Sequence, residues 1–125
     1  MFLGLIVTSI GFILPSLVAK NRGKALLACS YKCIAITSLL YHSTQSRFFH
    51  LIDKYVVHGI CAFHLSHALV KIIKKPSLQK VATFGSTSLP VFIYFGKSKG
   101  KDAPLWHMGF HISGQALLSL YAIYF

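Results

Sequence analysis

An all-α, polytopic membrane bundle of about five transmembrane helices is the fold this sequence predicts, and three observations carry the prediction. Of the 125 residues, 54% are hydrophobic and only 12% are charged, against about 25% charged in a soluble domain. A water-exposed body of this size would lack the polar surface to cover itself. The apolar residues fall in five runs joined by short polar connections. Those runs are continuously apolar instead of alternating with period two, which disfavours a membrane β-barrel.

A crossing helix needs roughly 17 to 25 apolar residues, and fewer where polar ends snorkel to the interface. The first helix, 2–19, carries no charge and is followed by Lys20, Arg22 and Lys24. With no basic residue ahead of it, that order suits a retained helix with a non-cytoplasmic N-terminus more than a signal peptide. The second, 25–42, is interrupted only by Lys32, whose amine reaches the nearer interface. The third, 52–73, contains His58, His64 and His67. The fourth, 81–96, is the shortest and includes Pro90, which predicts a kink. The fifth, 105–125, has no Lys, Arg, Asp or Glu. Five such helices use nearly the whole chain, so residues 1–125 are expected to form one multi-pass integral-membrane domain.

Charge narrows the chemistry. There are 13 Lys plus Arg but two acids, Asp53 and Asp102, and no Glu. A glycosidase carboxylate pair would have to come from those two residues alone. The zinc-protease helix motif and the calcium loop, which need more acids, are absent. Cys29, Cys33 and Cys61 show no CxxC spacing, so no disulfide framework or zinc ribbon is indicated. Five alternating crossings place Lys20, Arg22, Lys24, Lys71, Lys74, Lys75 and Lys80 on one side, and Arg47, Lys54, Lys97, Lys99 and Lys101 on the other. The positive-inside rule puts the larger set in the cytoplasm. Anionic lipid headgroups are the expected partners of these loops. No nucleic-acid-binding motif accompanies the charge.

Ionisable groups inside a membrane helix are costly and usually face a bundle interior, where they serve a function. Ser38 and His42 are i and i+4 near the end of the second helix, Asp53 opens the third, and His107 and His111 are i and i+4 near the start of the fifth. Residues at that spacing share one helix face. Counting crossings brings all five to one membrane face. Three imidazoles are a standard catalytic zinc set that leaves a fourth position for water, which the metal would acidify into a nucleophile. Asp53 would hold or deprotonate that water, and Ser38 would bond it or the developing oxyanion. Taken singly, each piece has a plainer reading: a hydrogen-bonded His pair, a serine bonding its own helix, an aspartate N-cap. Histidines on neighbouring helices are also compatible with a haem-binding electron carrier.

Ser38-Leu39-Leu40-Tyr41-His42, Leu51-Ile52-Asp53 and Trp106-His107-Met108-Gly109-Phe110-His111 together resemble the motifs of a superfamily of seven-helix membrane metal hydrolases. That superfamily includes the alkaline ceramidases, the progestin and adiponectin receptors, and the haemolysin III-like and Per1-like proteins. Its marks are S-x3-H ending the second helix, an Asp opening the third and H-x3-H in the last. The 11-residue step from His42 to Asp53 is closest to the ceramidase branch. The resemblance implies that His42, His107 and His111 bind Zn2+, that Ser38 and Asp53 contact the zinc-bound water, and that a membrane-lipid amide or ester is hydrolysed, with ceramide-like substrates the nearest precedent. This chain has two helices fewer than that superfamily; removing a pair between the third and the last preserves the alternation of sides. A homo-oligomer is one way for the shortened bundle to complete its cavity. A receptor-like protein of the same fold that turns nothing over is the alternative.

Overall fold

The computed structural model describes the backbone of residues 2–97 and 102–125, and the side chains of 3–89 and 102–125. Every regular element among the described residues is helical: α1 (Phe2–Ile10), α2 (Ile13–Asn21), α3 (Ala25–Thr44), α4 (Arg47–Lys74), α5 (Leu78–Lys97) and α6 (Ala103–Tyr124). Lys99 and Lys101 fall outside the described residues, and of Pro90 and Lys97 only the backbone, within α5, is described. α1 and α2 are two halves of one rod, so the helices make five rods. The rods Leu3–Asn21, Ala25–Thr44 and Arg47–Lys74 are long and apolar enough to cross a membrane. α6, at 22 residues longer than the first two of these, carries His107, His111 and Gln115, which lower its hydropathy.

Most helix ends lie within three residues of the expected ones, and two features differ by more. The first run is not one continuous helix. Pro15 has no N–H to give the carbonyl of Gly11, so the chain tightens at Gly11–Phe12: Phe12 N bonds Ser9 O at 3.2 Å and Leu14 N bonds Gly11 O at 3.0 Å, the i to i+3 pattern forced by a proline inside a helix. The third rod begins at Arg47, five residues before the expected 52, because Ser46 caps it by accepting from Phe48 N at 3.3 Å. Asp53 therefore lies in the second turn of α4 and is not its opening residue. The α3–α4 connection is only Gln45 and Ser46, and Gln45 takes the left-handed conformation (φ 56°) that ends α3.

The rods alternate in direction. α1 and α2 pack on α3 and α6, α3 packs on α4, and α5 packs on α6. Small residues, Ala19, Ala28, Ala35, Ala68 and Ala122, sit in the core beside Tyr31 and Tyr121 and allow close helix approach. At the end where α2 meets α3, Lys24 Nζ donates to the C-terminal carbonyl of Ala122 at 2.6 Å. Partial burial, with Arg22 and Lys71 nearby, holds this lysine below its ordinary pKa.

Side-chain hydrogen bonds tie α4 to α3, on which it packs, and to α6, whose backbone stands apart from it. His64 Nδ1–H donates to Ile60 O at 2.8 Å, which leaves Nε2 to accept from the Tyr31 hydroxyl at 2.7 Å. Tyr121 Oη donates to His64 O at 3.1 Å and accepts from His67 Nδ1–H at 2.7 Å. Tyr31 and Tyr121 are essentially fully buried, so each hydroxyl lost leaves a polar partner unsatisfied. Tyr31→Phe is expected to lower stability in detergent by about 1 kcal/mol, seen as an earlier unfolding midpoint in a denaturant titration; an unchanged midpoint would show that the network does not stabilise the bundle.

Candidate metal centre

The alternation of rods sets the site. The C-terminal turns of α3, the second turn of α4 and the first turns of α6 all lie at one end, opposite the cluster of Lys20, Arg22 and Lys24. His42 reaches this layer from α3, and His107 and His111 reach it from α6, one turn apart on one face. Their ring centroids are 5.0 Å (His42–His107), 5.4 Å (His42–His111) and 4.7 Å (His107–His111) apart. One donor nitrogen from each lies within 4.8 Å of the others, so this group could hold a metal ion.

Fit is tested by what the nitrogens do otherwise. His42 is 3% exposed and His111 2%. His42 Nε2 is the one buried side-chain N or O atom among the described residues with no hydrogen-bond partner. A buried, unbonded imidazole nitrogen is costly, and a cation beside it satisfies the lone pair. His111 Nδ1 is engaged with Thr8 Oγ1 at 3.1 Å, so its remaining donor is Nε2. Tetrahedral zinc with bonds of about 2.0 to 2.1 Å needs nitrogens about 3.3 Å apart, a spacing inside the 4.8 Å within which these atoms lie. Three imidazoles with no thiolate or carboxylate among them are a donor set that suits zinc, copper, iron or nickel.

Ser38 and Asp53 stand beside the histidines outside the donor group. Ser38 is 2% exposed. The Asp53 carboxylate accepts from Thr37 Oγ1 at 2.8 Å through Oδ1, and Ser38 and His50 are its other polar neighbours. All five residues singled out from the sequence are thus brought to one end of the bundle. Thr37 and Thr8 were missed. Thr37 adjoins Ser38 in sequence, but nothing local marks it as the partner of Asp53. His64 and His67 bond neighbouring rods, and His50 lies against Tyr41 with ring centroids 4.7 Å apart.

Ser38, Asp53, His107 and His111 line a cavity of about 590 Å³, in the range of small-molecule sites. Its walls are mostly apolar and include Phe12, Ile34, Val57, Ile60, Phe84 and Leu118. Both His107 and Tyr121 border it; 14 residues apart on one helix, they set its length at about 21 Å at 1.5 Å per residue. The cavity runs alongside α6, with the histidines at one end and the Tyr121–His64 pair at the other.

No family model matches this chain, and no curated protein or solved structure matches it. Purified protein is expected to bind one divalent transition metal per chain, with binding lost in His42→Ala and His111→Ala. Because ligand nitrogens must be neutral, affinity is expected to fall in acid. Metal titration at several pH values checks both; folded wild type that binds no metal would refute them.

Proposed function

We propose that this chain is a zinc-dependent integral-membrane hydrolase of a lipid amide or ester, with all five rods crossing the bilayer and the N-terminus on the non-cytoplasmic side. The observation that carries the reading is the unpartnered, buried Nε2 of His42 beside His107 and His111, at the end of a long apolar cavity bordered by an aspartate. The resemblance of the three motif blocks to the membrane metal hydrolases supports it. Lys20, Arg22, Lys24, Lys71, Lys74, Lys75 and Lys80 would face anionic headgroups on the cytoplasmic side.

In this reading His42, His107 and His111 would hold the zinc, which would supply Lewis acidity and make a water nucleophilic near neutral pH. The apolar walls take the hydrocarbon chain and keep bulk water from the carbonyl. Thr37 fixes Oδ1 of Asp53, so Oδ2 accepts a proton from the attacking water. The water oxygen bonds to the carbonyl carbon, the C–N or C–O bond breaks, and Asp53 returns the proton to the leaving nitrogen or oxygen. Ser38, buried beside Asp53, donates to the developing oxyanion. The products are a fatty acid and an amine or alcohol.

A haem carrier finds less support. Axial ligation takes two imidazoles, which would leave the third imidazole of the cluster, Ser38 and Asp53 without a role.

Turnover of a panel of long-chain lipid amides and esters in reconstituted vesicles, wild type against Asp53→Asn, tests the proposal. Asp53→Asn is expected to lower kcat by roughly 10² to 10⁴ with zinc content unchanged. Zinc-loaded wild type that hydrolyses none of the panel would favour a non-catalytic, receptor-like protein of the same fold.

A further inference from the structure

The break between α1 and α2 puts a residue against the metal centre that no sequence motif marks. With Phe12 N turned to Ser9 O, the carbonyl of Thr8 loses the donor that a regular helix would give it. Gln115 Nε2 of α6 donates to that carbonyl at 2.5 Å. Gly11 leaves room for the contact, since a methyl group there would overlap the Gln115 amide. One turn before Gln115 on the same face of α6 stands His111, and its Nδ1 meets the Thr8 hydroxyl at 3.1 Å. Thr8 thus grips α6 at two points, i and i+4, one through its backbone and one through its side chain. Phe12 closes the third side, its ring edge-on to His111 with centroids 5.3 Å apart.

The direction of the Thr8–His111 bond decides what His111 offers the centre. A hydroxyl has one proton, and Thr8 Oγ1 also lies 3.2 Å from Leu5 O, which can only accept. With its proton on Leu5 O, Thr8 presents lone pairs to His111, and His111 Nδ1–H donates to it. Nε2 is then unprotonated and turned to the side of His42 and His107. Metal-ligating histidines are commonly fixed in this way through the second nitrogen, and loss of the outer partner typically costs 10- to 100-fold in affinity.

We infer that Thr8 is a positioning residue that selects the Nδ1–H tautomer of His111 and aims Nε2 at the metal site. For its consequence on metal affinity the inference rests on the reading of the three histidines as a metal centre; the tautomer itself does not depend on that reading. Nitrogen-15 histidine NMR of metal-free protein in detergent, combined with zinc titration, tests it in wild type, Thr8→Val and Thr8→Ser. Valine matches threonine in shape and removes only the hydroxyl, and serine restores it.

Wild type and Thr8→Ser are expected to show His111 as Nδ1–H. Thr8→Val is expected to lose that preference and to bind zinc about 10- to 100-fold more weakly. An Nε2–H tautomer in wild type, or the same tautomer and zinc affinity in Thr8→Val, would overturn the inference. Wild type that binds no zinc would sink the hydrolase reading instead, and the NMR comparison alone would then decide the role of Thr8.

Discussion

An imidazole nitrogen sealed from water with nothing to bond is a cost of about 1 to 3 kcal/mol, and this bundle carries one at His42 Nε2. The same chain satisfies its other buried polar groups with care: Ser16 Oγ on Ala28 O at 2.8 Å, Ser9 Oγ on Leu5 O at 2.7 Å, Tyr31 on His64. Against that background the unpaired nitrogen marks the candidate metal centre. Two further imidazoles beside it are a donor set that favours a transition metal over a hard, oxygen-seeking cation.

The centre depends on how a short chain is threaded. α3 must end where α6 begins, and α4 must begin there too, for His42, Asp53, His107 and His111 to share one layer. The two-residue α3–α4 connection holds Thr37 against Asp53, and close packing through small residues brings α2, α3 and α6 together. α4 is tied to α6 through long side chains, Tyr121 reaching His64 and His67. That spacing leaves the long cavity beside α6 and places its polar end under the histidines. Packing and site are therefore one arrangement: the gap between α4 and α6 is also the long apolar cavity.

What could be read from the sequence was local. Five apolar runs and the i, i+4 spacing of Ser38–His42 and His107–His111 are visible in linear order, and parity alone carries them to one face. The boundaries were harder. The polar stretch before Asp53 reads as loop until Ser46 is seen as a cap, after which Arg47 to Ile52 continue the helix. The break in the first run had a signal, Pro15, which an absence of charge concealed. Thr8, Thr37 and Tyr31 had none: a threonine or tyrosine in an apolar run looks like packing. Only the juxtaposition of residues 103, 16 and 33 positions apart in the chain, respectively, shows them bonding His111, Asp53 and His64.

The most direct test of the metal centre is the anomalous X-ray scattering of crystals of zinc-loaded protein at the zinc edge. The expected result is one peak per chain, bonded to a nitrogen each of His42, His107 and His111 at about 2.0 to 2.1 Å with one further position open. A folded bundle with these helices in place and no peak among the three histidines, or a peak held by other residues, would contradict the account.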